Sequence, residues 1–201
     1  MTERTDAELL GAWRAGESGA FTDLVRRYQD PLLRHARGLL GAGRPFEDVV
    51  QEVFLKLARE RLTLRPETPG GPPPTLAAWL HKVTRNACMD IIRSETRRKR
   101  REREVASHEA TSGGLTAIEA TETRAVVEEA ISRLPVDQRE VLVLRLLAER
   151  SYREIAEITG KKVGTVGWLI SEGLKSLSGN LAPLLAPDVA SQGGTREMGL
   201  A

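Results

Sequence analysis

Cysteine, aromatic residues and long apolar runs are all scarce in this chain of 201 residues. The single cysteine, Cys88, has no partner for an internal disulfide, and aromatic residues make up 4% of the sequence. Leucine, valine, isoleucine and alanine supply most of the apolar content, which favours helix packing over strands rich in aromatic residues and threonine. The longest uncharged stretch, Thr68–His81, contains four prolines and is shorter than the about 20 apolar residues that span a membrane. We therefore expect an all-α protein without a membrane segment.

The first residues, MTERTDAE, are charged and lack the apolar centre of a secretory signal. Together with the absence of a disulfide and of a membrane-spanning run, this indicates a cytoplasmic protein.

The net charge is only +2, but the charges are unevenly distributed along the chain. Residues Arg93–Glu104 contain seven basic and three acidic side chains, whereas Val105–Ala130 contains five acidic side chains and one basic side chain. A basic block followed by an acidic stretch with Ser, Thr and Gly is typical of a domain edge and a linker. We predict two small helical domains, residues 1–101 and 122–181, joined by a flexible linker at 102–121, with a flexible tail at 182–201.

Capping residues, apolar spacing and prolines indicate where the helices of the first domain lie. Thr5 and Glu8 have the spacing of a capping box, and an apolar stripe runs through residues 21–39. Pro31 falls inside that stripe and predicts a kink or a helix start. Further helices are expected around residues 47–57 and 75–100, separated by a proline-rich loop at 66–74.

The second domain ends in a helix-turn-helix pattern. Ser151 and Glu154 form a second capping box at the start of a short helix, and Thr159–Lys162 predicts a tight turn. A longer helix is expected at Val163–Leu177.

The residue types used in catalysis and metal binding form no recognisable group. His35, His81 and His108 lie far apart in the sequence, and none has a second histidine or a cysteine at metal-ligand spacing. No glycine-rich phosphate-binding loop follows a predicted strand. Cys88 lies on or beside the apolar stripe of its helix, which favours a buried thiol over a nucleophile. We expect no enzyme activity, no metal site and no cofactor.

Three stretches carry a resemblance to a known family: Phe21–Ala36 leading into Glu47–Leu57, Trp79–Arg93 with the basic run after it, and Leu134–Gly173. In this order they resemble the extracytoplasmic-function (ECF) sigma factors, minimal members of the sigma-seventy superfamily of bacterial transcription initiation proteins. The resemblance implies a two-domain helical protein that binds core RNA polymerase through its beta-prime and beta subunits and directs it to promoter DNA. Whether an anti-sigma factor is a further partner stays open.

The resemblance also implies roles for particular residues. The helix at 47–57 is the one that docks on a coiled coil of the beta-prime subunit, and the helix at 79–93 is the one that engages the minus-ten element. The implied polymerase-binding residues are Glu47, Asp48, Gln51, Glu52 and Phe54. The implied minus-ten residues are Trp79, Lys82, Arg85, Asn86 and Arg93. In the helix-turn-helix, the residues that could contact DNA are Arg153, Lys161, Lys162, Thr165, Trp168, Ser171 and Lys175.

Several alternatives remain at this point. The acidic helix side can be an ordinary solvated face, Trp79 can belong to the core, and Trp168 can pack inside or face another protein. The recognition helix has few cations, so its contact with phosphates is expected to be weak. Two other functions are therefore considered: a helix-turn-helix regulator that acts without polymerase, and an interaction protein that has lost promoter recognition.

Overall fold

The computed structural model describes residues 4–41, 43–60, 75–105 and 120–185, and this part of the chain contains helices and no strand. The all-α prediction is confirmed. The helices are α1 (Asp6–Arg14), α2 (Ser18–Leu40), α3 (Phe46–Arg59), α4 (Leu76–Val105), α5 (Ala120–Ser132), α6 (Val136–Leu142), which continues into a π-helical segment (Val143–Leu147), α7 (Tyr152–Thr159) and α8 (Val163–Leu185).

Helices α1–α4 form an N-terminal unit in which α2 packs against the other three. The Thr5–Glu8 capping box is present at the start of α1, as predicted. Leucines spaced along the helices fill the core, and the side chains of Leu24, Leu32 and Leu57 are fully buried. This packing leaves the polar sides of α3 and α4 on the outside of the unit.

Pro31 lies inside α2, which continues from Ser18 to Leu40. A helix start at Pro31 is therefore wrong. Proline removes one backbone donor from a helix, but the buried positions of α2 continue on both sides of it, at Tyr28 and Leu32 among others. Burial of the whole stripe outweighs the local loss.

Helices α5–α8 form a C-terminal unit; α6, α7 and α8 enclose a second apolar core, whereas Ile131 of α5 belongs to the first. The Ser151–Glu154 capping box starts α7, and Gly160 has a φ of 71°, a left-handed conformation that ends α7 and lets α8 begin three residues later, at Val163. Gly173 allows α6 to approach α8 closely, because a Cβ there would lie 2.9 Å from Leu142 Cδ1. The predicted helix-turn-helix is confirmed.

The helix ends differ from the predicted ones at three places. Helix α4 continues to Val105 and α5 begins at Ala120, so helix occupies both edges of the predicted linker. Helix α8 continues through Pro183 to Leu185, beyond the expected end near Leu177. The loop at 66–74, the linker residues 106–119 and the tail after 185 lie outside the described residues, and the domain boundaries stay a prediction.

The two units pack against each other. Helix α2 contacts α5, α6 and the π-helical segment, and α4 contacts α7. Arg34 donates a hydrogen bond of 2.8 Å to the Leu147 carbonyl, and Arg37 forms an ion pair of 2.8 Å with Glu128. We call these contacts, together with those between α4 and α6, the interunit interface. The sequence did not predict it.

Candidate polymerase and nucleic-acid interfaces

One polar side of α3 is exposed to solvent. Val49, Val53 and Leu57 are buried against the N-terminal core, which places the intervening polar residues outward. We call the exposed set the acidic surface; its members are Glu47, Asp48, Gln51 and Glu52. Carboxylates near the start of a helix also interact favourably with its dipole. The structure thus exposes all four polar residues predicted to bind polymerase.

An apolar groove of about 510 Å³ lies beside the acidic surface, between α2 and α3. Phe54, the fifth predicted polymerase contact, lines it and is mostly buried, whereas Leu55 at its edge is 48% exposed. Phe21, Val25 and Leu33 of α2 complete the apolar wall. The predicted apolar stripe includes Phe21, whereas Val25, Leu33 and Leu55 have no predicted role. Val25 lies four residues after Phe21 and Leu33 eight residues after Val25, and this apolar spacing on α2 was the available signal.

The predicted minus-ten residues on α4 divide into two groups. Lys82, Asn86 and Arg93 are exposed. Arg93 Nη1 lies 3.3 Å from Asp90 Oδ1. Trp79 is half-buried and packs against the N-terminal core, as the core alternative predicts. The structure therefore places three polar side chains on one exposed side of α4. The Trp79 indole lies against the core instead.

Arg85 differs from the other predicted minus-ten residues because it contacts the C-terminal unit. Its guanidinium Nε donates a hydrogen bond to the Glu140 carboxylate of α6. The Glu140 side chain is 1% exposed and that of Arg85 is 21% exposed. No local pattern indicates this pair, since the two residues are far apart in the chain.

The exposed residues of α8 form one continuous stripe. Thr165, Trp168, Ser171 and Lys175 recur at spacings of three and four and all face solvent. Trp168 is 61% exposed, whereas its neighbours Leu169 and Ile170 are buried. Of the alternatives left open for Trp168, packing in the core is therefore wrong, because the helix period directs the two residues after it inward.

Two of the four cations predicted to contact DNA in this unit have carboxylate partners. Lys161 Nζ is 2.8 Å from Asp137, and Lys175 Nζ is 2.7 Å from Glu172. Arg153 and Lys162 are exposed. Partial neutralisation of the lysines strengthens the expectation that this unit contacts phosphates weakly.

His35 and His81 form a buried pair, although they are distant in the sequence. The α2–α4 packing brings their Nδ1 atoms to 3.1 Å, so one imidazole donates a hydrogen bond to the other. Burial lowers the pKa of His81 to about 3 and that of His35 well below its usual value. The described residues contain no cluster of three or more side chains suited to a metal ion. We interpret the pair as a neutral structural contact.

Cys88 is a buried residue of α4, in agreement with the sequence-based interpretation. Burial raises the pKa of its thiol to about 12. A nucleophile needs the thiolate, which is negligibly populated at neutral pH under these conditions.

Comparison with known proteins identifies both units. Residues 24–98 match the family model for sigma-70 region 2, and residues 124–177 match that for sigma-70 region 4. An ECF RNA polymerase sigma factor of Mycobacterium tuberculosis, SigM, is 31% identical over 164 residues, which cover 82% of this chain and 78% of SigM. The ECF sigma-E factor of Escherichia coli is 29% identical over 197 residues, covering 92% and 99% of the two chains.

Solved structures show the same architecture. CnrH, solved in complex with the cytosolic domain of CnrY, superposes with a TM-score of 0.63 at 25% identity, covering 86% of this chain and 94% of that one. RpoE of Bartonella quintana, solved with the anti-sigma factor NepR, gives a TM-score of 0.57 at 26% identity, covering 79% and 96%.

The two units define a transcription initiation factor rather than an enzyme. The chain belongs to the ECF sigma factors of the sigma-70 family. Members of this family bind core RNA polymerase and promoter DNA. The alternative function, a helix-turn-helix regulator that acts without polymerase, is therefore excluded. Within the described residues, no helix combines the length and the apolar character needed to cross a membrane.

Proposed function

We propose that this sigma factor binds core RNA polymerase through the acidic surface and the adjoining apolar groove. The observation that carries the proposal is the direct contiguity of the two features: Glu47 and Gln51 belong to the acidic surface and also line the groove beside Phe54. An exposed apolar patch with a charged rim is typical of a protein interface. The charge of the surface suits a partner helix that carries basic side chains.

Reversal of two charges tests this surface. Asp48→Lys combined with Glu52→Lys should weaken association with core polymerase several-fold, because attraction to a basic partner becomes repulsion. Both side chains are exposed, so the helical content and the melting temperature should change little. A matched control is Asp23→Lys with Asp30→Lys, two exposed acids on α2 that do not line the groove. Equal weakening by both pairs would assign the effect to net charge and remove the acidic surface from the interface.

We further propose that α4 provides base discrimination at the minus-ten element. Reading unpaired bases takes amide or planar groups, with cations beside the phosphates. Asn86 supplies an exposed amide, and Lys82 and Arg93 supply exposed cations on the same helix. Trp79 is excluded from this role in our proposal because it packs against the core.

In this proposal the C-terminal unit mainly positions the protein at the minus-thirty-five element. Thr165, Trp168 and Ser171 face outward where groove edges would lie, and Arg153 and Lys162 supply phosphate contacts. Lys161 and Lys175 must first leave their carboxylate partners. The site of action we propose is the bacterial cytoplasm, where RNA polymerase works.

A further inference from the structure

We propose that a cavity between α2, α5 and α6 binds a small organic phosphate, with arginines of its wall holding the phosphate group and apolar residues holding the rest of the ligand. The cavity has a volume of about 580 Å³. Protein cavities that bind small molecules have volumes of roughly 300–1,000 Å³, so this one can hold a ligand of that class. The inference goes beyond the proposed function, because it concerns neither the acidic surface nor the residues assigned to DNA.

The first support is an excess of positive charge on the cavity wall. Arg34 and Arg37 of α2 and Arg139 of α6 line the cavity, and Glu128 of α5 is the one acidic side chain among the described residues that do so. Arg37 and Glu128 form an ion pair of 2.8 Å, so the other two guanidinium groups carry the excess. A phosphate monoester has a charge of about −1.5 to −2 at pH 7, which matches this excess. Guanidinium groups bind phosphate oxygens through paired, charge-assisted hydrogen bonds.

The second support is the incomplete pairing of Arg139. Its Nη atoms donate only long hydrogen bonds, of 3.3 Å to the Leu39 carbonyl and of 3.4 Å to the Leu134 carbonyl. Its Nε is buried without a hydrogen-bond partner, and no carboxylate in the described part of the chain forms an ion pair with this guanidinium. Burial, and then repulsion from Arg44, lowers the pKa of Arg139. A half-buried cation without a counter-ion costs free energy, and a bound anion would supply the missing negative charge.

The third support is the availability of Arg34, which is exposed to solvent and lines the cavity. Its Nε donates a hydrogen bond of 2.8 Å to the Leu147 carbonyl, which fixes the direction of the side chain. Within the described residues, its two Nη atoms have no hydrogen-bond or ion-pair partner. These atoms are therefore free to bind the oxygens of an anion that enters from solvent.

The fourth support is the apolar part of the wall, which Val127 and Ile131 of α5 and Leu147 of the π-helical segment provide. The groove between α2 and α3 offers a comparison within the same chain. It is also largely apolar and has a similar volume, about 510 Å³, but Glu47 is the one charged side chain among the described residues that line it. An uncharged apolar ligand suits both places, whereas an apolar ligand with a phosphate group suits only the cavity lined by arginines.

Isothermal titration calorimetry on the full chain tests the site, with hexyl phosphate as the probe. Inorganic phosphate and 1-hexanol, titrated at the same pH and ionic strength, separate the contribution of the phosphate group from that of the apolar chain. We expect saturable binding of hexyl phosphate. Inorganic phosphate should bind about tenfold or more weakly, because it buries no apolar surface. 1-Hexanol should likewise bind about tenfold or more weakly, because it forms no charge-assisted hydrogen bond.

Two variants remove the proposed phosphate contacts, and each has a matched control. Arg34→Gln is compared with Arg26→Gln, an exposed arginine on the same helix that does not line the cavity. Arg139→Gln is compared with Arg133→Gln, an exposed arginine between α5 and α6 that also lies outside the cavity wall. Arg34→Gln and Arg139→Gln should each weaken the binding of hexyl phosphate about five- to tenfold, while the controls bind like the wild type. Circular dichroism checks the fold, and the exposed Arg34 keeps the test valid if Arg139→Gln unfolds.

Nuclear magnetic resonance locates the probe without any substitution. Gly38 and Gly41 line the cavity, whereas Gly19 lies near the start of α2 and lines neither the cavity nor the groove. Hexyl phosphate should shift the backbone amide signals of Gly38 and Gly41 and leave that of Gly19 unchanged.

Three results would each overturn the proposal: no saturable binding of hexyl phosphate, unchanged affinity in Arg34→Gln, or signal shifts that spare Gly38 and Gly41. Equal binding of inorganic phosphate and hexyl phosphate would also overturn it, since the apolar wall would then contribute nothing. None of these measurements involves polymerase or DNA, so their failure leaves the proposed function unaffected.

Discussion

The buried His35–His81 pair should make the folded chain sensitive to mild acid. Both side chains are fully buried, and their Nδ1 atoms are 3.1 Å apart. Burial is the main cause of the lowered pKa of each imidazole, and Arg150 lowers both further by charge repulsion. Charge repulsion from His81 and then from Arg85 also lowers the pKa of His35, and Glu154 partly opposes the lowered pKa of His81. The folded protein therefore holds both imidazoles neutral.

The size of the effect follows from proton binding to the two states. His81 has a pKa of about 3 in the folded chain and 6.5 as the reference for the unfolded chain. Between these values the unfolded state binds a proton that the folded state does not, so stability falls as the pH is lowered. From pH 7 to pH 5 the free energy of unfolding falls by about 2 kcal/mol because of His81. His35, whose pKa is also strongly lowered, adds to the loss in the same direction.

Urea unfolding followed by circular dichroism at pH 7, 6 and 5 measures this loss. Single-domain stabilities lie at about 5–15 kcal/mol, so a change of about 2 kcal/mol shifts the midpoint clearly. The matched variant is His81→Gln, which is neutral throughout and retains a side chain that can hydrogen-bond to His35. Its stability should fall by about 2 kcal/mol less than that of the wild type over this range. Identical pH dependence in the two proteins would show that His81 is not held neutral in the fold.

Three further predictions concern promoter contacts. Asn86→Ala should relax the preference at one minus-ten base by about 1–3 kcal/mol if the amide makes a paired contact, as promoter profiling would reveal; an unchanged profile would exclude that contact. Trp168→Ala should leave the melting temperature of the chain nearly unchanged, because the indole is 61% exposed, and should reduce binding to upstream promoter DNA; a large loss of stability would contradict the exposed position. Changing Lys161 and Lys162 together to alanine should lower the affinity for all upstream sequences alike and flatten the salt dependence by up to about two units, measured by titration at several salt concentrations. Because Lys161 pairs with Asp137, we expect the slope of the salt dependence to change by about one unit. An unchanged slope would exclude both lysines from phosphate contact.

Features that depend on neighbouring residues could be predicted from the sequence. The capping boxes at Thr5–Glu8 and Ser151–Glu154 join side chain and backbone across three residues, so the pattern alone specifies them. The apolar period likewise indicated which sides of α2 and α3 are buried, and with them the exposure of the acidic surface. The helix-turn-helix needed only one further signal, the glycine at position 160.

Features that depend on distant parts of the chain could not be predicted in this way. Arg85 and Glu140 are 55 residues apart, and His35 and His81 are 46 apart, so no periodicity relates them. Trp168 shows a different limit, because periodicity assigned the helix but not which of three consecutive apolar residues faces outward. That choice is made by packing of α8 against α6 and α7.

The most direct test of the central claim is promoter-dependent RNA synthesis with purified bacterial core polymerase, genomic fragments and the full chain. We predict transcripts that start at defined positions downstream of a shared sequence element and that require the added chain. The Asp48→Lys, Glu52→Lys double variant should lose most of this synthesis, whereas the Asp23→Lys, Asp30→Lys control should retain it. Absence of defined start sites, or equal synthesis with the α3 double variant, would contradict the account.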